Sequence, residues 1–302
     1  MRKNATDSYQ LQVETYALGL CKQVDPREML SICWGCKSAF RAIFFDSDEL
    51  QQIYRSEYIG MESHVSEGMV YRDNGFLNEN SARSLSLVKE IERTYKVSIR
   101  DIFDIGGRDG FRLKSLAENG YHCKVFDPMP CEPCSMLIEK EYILGSDIEK
   151  TEKADLIILG SMLEHCENPH EIIESCQAHL REGGFIFLDL PYDIATFFEW
   201  LLLRRWVGKS LGIDYTHNIF YSRKAVQCLL AKHGIATLSN QYNTIASLRG
   251  TVLMETLGRK VDSKDDMSKY KNWLSLDFDL LNTHYCFAIL NRITNKITAV
   301  WR

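Results

Sequence analysis

The sequence lacks an apolar run long enough to cross a membrane as a helix. Its most apolar stretch, residues 196–203, is stopped by Arg204 and Arg205 and is far shorter than the roughly 18 residues that a span needs. It also lacks tandem repeats and low-complexity segments, which excludes solenoids and linker-rich architectures. No apolar run follows the basic residues at the chain start, so we expect no secretory signal and a cytoplasmic location.

An excess of basic residues is missing as well. The 36 Lys and Arg face 41 Asp and Glu, for a net charge of −5, and no basic cluster is interleaved with aromatic residues, so a nucleic-acid partner is disfavoured. Ten cysteines in 302 residues are too few for a disulfide scaffold. In a cytosolic chain their pairs are metal or redox candidates first, although most are expected to be buried thiols.

The sequence divides into three stretches that differ in residue composition and spacing. Residues 1–60 carry Cys21, Cys33 and Cys36 among short apolar pieces and are expected to form a small module. Residues 61–98 are expected to form a helical connection, since apolar side chains recur there at helical spacing after an Asn/Ser cluster. Residues 99–302 are expected to form the main domain, with an insertion at about 245–280 that contains a charged, helix-like stretch.

The main domain alternates short apolar runs with helix-compatible segments. This alternation predicts an α/β fold, with a mostly parallel sheet covered by helices on both faces. The strand candidates are residues 102–105, 123–127, 154–159 and 184–189, with two more at 236–238 and 285–290.

A glycine-rich turn follows the first of these strands. Glycines at this place let a ligand approach the backbone at the carboxyl edge of the sheet. Asp104, Gly106 and Gly110 match an acid-x-Gly-x-x-x-Gly pattern with Gly107 between them, whereas Arg108 and Phe111 break the dinucleotide fingerprint. The pattern therefore favours a ligand without a pyrophosphate, and a plain tight turn is the alternative.

Two aspartates extend this candidate site. Asp127 ends the next strand and precedes Pro128, where its carboxylate could accept hydrogen bonds from both hydroxyls of a ribose. Asp147 follows the presumed third strand and could meet an adenine amino group. A solvated or helix-capping aspartate is the alternative for Asp127, and a turn aspartate is the alternative for Asp147.

These residues, together with residues 154–169 and the double glycine and strand of 180–191, resemble the class I S-adenosylmethionine-dependent methyltransferases over residues 99–240. The resemblance implies a Rossmann-like, doubly wound seven-stranded sheet and S-adenosylmethionine as the cofactor. Arg108 departs from the family, which commonly has glycine there. The implied cofactor-binding residues are Asp104, Gly106, Gly107, Gly110, Asp127, Pro128, Asp147 and Ser161.

Residues 216–234 are similar to a segment of methyltransferases that act on nucleotide-linked sugars and surface polysaccharides. The resemblance makes His217 a candidate base, because a neutral imidazole can accept a proton near pH 7. Thr216 stands where the relatives commonly have glutamate. His165, just past the fourth strand, is the second catalytic candidate. For both histidines a structural role is the alternative.

The first 60 residues resemble a small zinc-binding unit of the same subgroup. Cys33 and Cys36 match its second Cys-x-x-Cys pair, whereas Cys21 has Val24 where the second thiol of the first pair belongs. Structural zinc requires four ligands, so Asp25 or a distant cysteine completes the set, or the unit is free of metal.

The resemblance thus implies a methyltransferase with a small-molecule, sugar-like acceptor. For a nucleotide-linked sugar, Arg204, Arg205 and Lys209 are candidates to meet the phosphates. The alternatives are a methyltransferase that acts on a protein or RNA, and a non-catalytic partner subunit of the same fold. A homodimer is one assembly that the sequence leaves open.

Overall fold

A computed structural model describes residues 21–25, 30–33, 38–41, 74–127, 133–141, 153–191, 217–245 and 251–261. Its strands are β1 (Cys21–Asp25), β2 (Leu30–Cys33), β3 (Ala39–Arg41), β4 (Asp101–Ile105), β5 (His122–Phe126), β6 (Ile138–Glu141), β7 (Ala154–Gly160), β8 (Leu180–Pro191), β9 (Ile219–Phe220), β10 (Ile235–Ile245) and β11 (Thr251–Lys260). Its helices are α1 (Asn74–Tyr95), α2 (Lys114–Glu118), α3 (Pro169–His179) and α4 (Arg223–Lys232), with short 3-10 turns at Phe111–Leu113 and Leu163–His165.

The main sheet has seven strands in the order β10-β11-β8-β7-β4-β5-β6. Strands β6, β5, β4, β7 and β8 run parallel, and β11 runs antiparallel to both β8 and β10. The predicted mostly parallel, doubly wound sheet is therefore confirmed. From β4 the chain proceeds to β5 and β6 on one side, and it then returns to β7 on the other side of β4. The strand order therefore reverses at β4, and a crevice opens at the carboxyl ends of these strands, where ligands bind in such sheets.

Helices cover both faces of this sheet. Side chains alternate along β7, so that Ile157 and Leu159 face α3 and α4, whereas Leu156 and Ile158 face α1 and α2. Buried Val88 and Ile91 place α1 within the second of these layers. Within residues 61–98, where a helical connection is expected, α1 is thus present, and it covers the sheet as well as connecting to it.

The last strands differ from the sequence prediction. The candidate at 236–238 lies within β10 as expected, but the seventh strand is β11, which occupies residues 251–260 of the stretch expected to be an insertion. Its Leu253, Met254 and Leu257 are buried, and pairing on both edges makes it a central strand. Residues 262–280 and the candidate strand at 285–290 lie outside the described residues.

A second sheet joins the N-terminal strands to a distant part of the chain. Its four strands follow the order β1-β2-β3-β9, and Ala39 of β3 is paired with Phe220 of β9. The buried backbone N–H of Ser222 donates to Oγ of Ser38 at 3.0 Å. The described strands of the predicted N-terminal module therefore share hydrogen bonds with the segment that follows His217.

Within the described part of the chain, no helix combines the length and the apolar character that a membrane crossing requires.

Candidate active site

The glycine turn after β4 is built from left-handed backbone. Gly106 and Gly110 have φ of 74° and 72°, and Arg108 between them has φ of 55°. The left-handed region costs a residue with a side chain about 1–2 kcal/mol. Arg108 nevertheless adopts the left-handed backbone conformation that a glycine would adopt at this position without that cost. The departure noted in the sequence thus leaves the path of the turn intact.

Two of these glycines are also required by close packing. A Cβ on Gly106 would contact the Met162 side chain, which follows β7, and a Cβ on Gly107 would clash with the Asp104 carboxylate. The turn therefore lies directly against the segment that leaves β7. This contact places the glycine turn and the predicted residue Ser161, next to Met162, at one edge of the sheet.

Asp127 is hydrogen-bonded to the glycine turn. It follows the last residue of β5 and is only 4% exposed, and its Oδ2 accepts a hydrogen bond from the backbone N–H of Arg108 at 2.8 Å. This bond fixes the carboxylate at the crevice beside β4. The other two predicted cofactor contacts on this side, Pro128 and Asp147, lie outside the described residues.

Asp104 is a buried carboxyl at the base of the turn. It is 1% exposed, and among the described residues its Oδ2 has no hydrogen-bond partner. Burial raises the pKa of Asp104 to about 7; nearby Asp189, Asp127 and Asp109 act in the same direction, while Arg112 opposes them. The group therefore changes charge near neutral pH, far above the ordinary range of an aspartate.

Replacing Asp104 by asparagine is expected to stabilise the fold above pH 7. The pKa is raised in the folded state, so the folded chain binds more protons than the unfolded chain between about pH 4 and pH 7, and Asp104 costs increasing stability as pH rises through that window. Asp104→Asn should then unfold with a free energy about 4 kcal/mol higher at pH 8, with little difference at pH 4.

Urea unfolding of the parent and Asp104→Asn across this pH range measures the effect. Glu118→Gln, the same carboxylate-to-amide change at an exposed position of α2, serves as the control and should not change with pH in this way. A constant difference between Asp104→Asn and its parent from pH 4 to pH 8 would contradict the buried-carboxyl interpretation.

A buried ion pair that the sequence analysis missed crosses this edge of the sheet. Arg112, from the 3-10 turn after the glycines, donates to both carboxylate oxygens of Asp189 near the end of β8, at 2.6 and 3.3 Å. A Cβ at Gly160 would clash with the Arg112 guanidinium, so glycine at the end of β7 makes room for it. Burial alone would lower the pKa of Arg112, but the Asp189 and Asp104 carboxylates raise it above its ordinary value.

The two histidines named from the sequence, His165 and His217, lie against each other. Their ring centroids are 4.7 Å apart with the planes at 73°. Oε1 of Glu164 lies 3.8 Å from Nε2 of His165 and 4.0 Å from Nε2 of His217, too far for hydrogen bonds but close enough for electrostatic interaction. Glu164 is a further residue that sequence reasoning missed.

Backbone hydrogen bonds hold this cluster in place. The N–H of Asn218 donates to the carbonyl of Glu164, and Nδ2 of Asn218 donates to the carbonyl of His165, both at 2.8 Å. The segment after β7 and the segment before β9 are therefore joined at the level of the histidines. Such bonds fix the relative positions of Glu164, His165 and His217 before any ligand binds.

Two groups of side chains are candidates for metal ligation. The ligand atoms of Glu164, His165 and His217 lie within 4.8 Å of one another, which is a donor set that a divalent cation accepts. Of the predicted zinc ligands, Cys21 and Cys33 are register partners across β1 and β2, and Cys36 lies outside the described residues. Zinc binding by these cysteines stays a prediction.

Comparison with known proteins identifies a domain in the middle of the chain. A family profile described as "Methyltransferase domain" matches residues 78–240. Among curated proteins, the chain is similar to two ubiquinone biosynthesis O-methyltransferases: it is 24% identical to the Shewanella halifaxensis enzyme over 134 residues, and 49% identical to the Glaesserella parasuis enzyme over 49 residues. The matches cover 40% and 16% of this chain, and 57% and 21% of those enzymes.

Solved structures of methyltransferases also align with the chain. A toxoflavin-pathway N1-methyltransferase of Burkholderia thailandensis aligns with 13% identity and a TM-score of 0.48, over 81% of this chain and all of that one. The N-methyltransferase NodS of Bradyrhizobium japonicum aligns with 18% identity and a TM-score of 0.42, over 63% of this chain and 99% of that one.

Proposed function

Because the chain belongs to the methyltransferase domain family, we propose that it transfers a methyl group from S-adenosylmethionine to a small-molecule acceptor. The observation that carries this proposal is the hydrogen bond between the glycine turn and Asp127, at the crevice where the strand order reverses. The chain spans just over half of one of its curated relatives and about a fifth of the other, so the proposal rests chiefly on this site.

The residues present fit S-adenosylmethionine. Gly106 and Gly110 give the turn a left-handed path at the sheet edge, and the Asp127 carboxylate, held by the Arg108 amide, suits the two hydroxyls of a ribose. When bound, the cofactor supplies a methyl group on a positively charged sulfur, which is an activated leaving group. The protein then has to orient the acceptor in line and to exclude water.

The proposed base is His217, with Glu164 as a positioning residue. A neutral imidazole would accept a proton from an acceptor hydroxyl, and the Glu164 carboxylate, 4.0 Å away, would favour the imidazolium that results. The relatives commonly have a glutamate just before the histidine, where this chain has Thr216. Glu164, from the segment after β7, would supply a carboxylate to His217 in its place. This arrangement favours an active enzyme over a non-catalytic subunit of the same fold.

The proposed acceptor is a sugar or a sugar-like molecule. It rests on the resemblance of residues 216–234 to methyltransferases of nucleotide-linked sugars, and on the histidine cluster that this segment completes. Arg204, Arg205 and Lys209, the residues suggested for phosphate contacts, lie outside the described residues.

Binding of S-adenosylmethionine, measured by isothermal titration calorimetry, tests the proposal. Asp127→Ala should bind at least about a hundredfold more weakly, because two charge-assisted hydrogen bonds are lost. Asp109→Ala removes a carboxylate from the same turn and should bind like the parent. Parent protein that does not bind S-adenosylmethionine, or an Asp127→Ala variant that binds it equally well, would overturn the proposal.

A further inference from the structure

A cavity of about 530 Å³ lies between α1 and the strands β8, β11 and β10. This volume is in the usual range for small-molecule sites. The cavity lies on the sheet face opposite to α3 and α4, and the functions suggested by the sequence analysis did not involve it. Arg112 forms part of its wall and also lies against Gly160, so one end of the cavity reaches the carboxyl end of β7.

The floor of the cavity consists of two rows of side chains across three paired strands. Register places Asp189, Glu255 and Gln241 opposite one another, and likewise Phe187, Leu257 and Ser239 in the next row. Directly paired residues project on the same face of a sheet. One row is thus polar throughout, and the row beside it is mainly apolar.

Helix α1 forms the roof. Most of its contributing residues recur every three or four positions, which places them on one helical face. They combine hydroxyl, amide, guanidinium and carboxylate groups with apolar side chains, namely Asn80, Arg83, Ser84, Ser86, Leu87, Glu90, Ile91, Thr94 and Tyr95.

The charges within the cavity compensate one another. Arg83 forms an ion pair with Glu255, and Arg112 forms one with Asp189, while Nδ2 of Asn243 donates to Glu255 at 3.3 Å. Among the described residues, the buried Nη1 of Arg83 has no hydrogen-bond partner. The cavity therefore offers hydrogen-bonding groups without a surplus of positive charge.

We infer that this cavity binds an uncharged polyhydroxylated ring, such as a glycosyl group. Its described lining residues do not include the histidine cluster, and Ile219 and Tyr221 beside His217 pack in the layer of α3 and α4, so this site is separate from the proposed base. The row of Phe187 and Leu257 suits the C–H face of such a ring, and the amide, carboxylate and guanidinium groups suit its hydroxyls. A phosphate would need a cation not already neutralised by a carboxylate, so a nucleotide-linked sugar fits this cavity poorly.

Saturation-transfer NMR on the full chain with a panel of neutral methyl glycosides tests the inference, with glucose 1-phosphate and UDP-glucose as charged probes. We expect at least one methyl glycoside to bind, and to bind more tightly than either charged probe. Gln241→Leu should weaken this binding by about fivefold or more, since a hydrogen bond to the ligand is lost. Gln241 is exposed on β10, so its replacement leaves the core unchanged.

Gln177→Leu, the same substitution on α3 across the sheet, is the matched control and should bind like the parent. Asn80→Leu tests the roof of the cavity and serves in place of Gln241→Leu if that variant does not fold.

Calorimetry with S-adenosylmethionine on the same samples separates the two proposals. If the cofactor binds but no methyl glycoside does, or if the charged probes bind more tightly, or if the cavity variants match the parent, the inference is wrong while the proposed function stands. If a methyl glycoside binds but the cofactor does not, the proposed function is wrong while the inference stands.

Discussion

Replacing Arg112 by methionine is expected to lower the free energy of unfolding by about 3 to 5 kcal/mol. The substitution keeps much of the side-chain volume but leaves the Asp189 carboxylate, which is 1% exposed, as a buried charge without its cation. Asp104 nearby would also lose the positive charge that opposes its high pKa. Urea unfolding at neutral pH measures the loss.

A double substitution separates the ion pair from simple packing. Arg112→Met combined with Asp189→Leu removes both buried charges, so it should recover most of the stability that Arg112→Met loses. Arg93→Met serves as the surface control, because Arg93 pairs with Glu90 at 2.8 Å in solvent and such pairs contribute little. Equal losses in the Arg112→Met variant and the double variant would show that packing, rather than the unpaired carboxylate, governs this position.

Replacing His217 by glutamine is expected to lower kcat by about 100- to 10,000-fold, the usual contribution of a general base. The affinity for S-adenosylmethionine should stay unchanged, since His217 is not one of the residues proposed to hold the cofactor. Release of the demethylated cofactor, followed with a panel of sugar acceptors, measures kcat, and calorimetry measures cofactor binding. In the parent, kcat should fall on the acid side as the imidazole becomes protonated.

Glu164→Gln tests the role assigned to the neighbouring carboxylate. Loss of its negative charge should lower the pKa of the His217 imidazole and shift the acid limb of the kcat profile to lower pH, a change that a merely structural role would not produce. His170→Gln is the matched histidine control, since His170 contacts His233 on another part of the surface. A His217→Gln variant with parental kcat would exclude the base, and an unmoved acid limb in Glu164→Gln would exclude the positioning role.

The sequence was sufficient to predict the parts of the site that depend on local pattern. Glycines after β4 and an aspartate after β5 belong to neighbouring parallel strands, so their meeting follows from the βαβ order alone. The helix and strand periods also located α1 and most of the parallel strands. These elements were predictable because local backbone preferences and burial point to the same answer there, whereas the cofactor contacts of the glycines and of Asp127 stay predictions.

Contacts between distant segments were not predictable in this way. Arg112 and Asp189 are 77 residues apart, and no local pattern pairs them. One signal was available: Asp189 stands within a buried apolar strand, where a carboxylate requires a partner. Glu164 was missed for a similar reason, since its relation to His217 depends on how two loops meet, and β11 was missed because the charged residues that follow it suggested a helical insertion.

The pairing of β3 with β9 also constrains the order in which the chain can fold. Ser38 and Ser222, which join the two segments, are 184 residues apart, and closing so long a loop is slow unless the intervening chain is already compact. During synthesis the N-terminal strands therefore emerge well before their partner exists. The four-stranded sheet beside His217 is completed only after most of the main sheet has been synthesised. Its assembly is therefore a late step that requires both the N-terminal strands and β9.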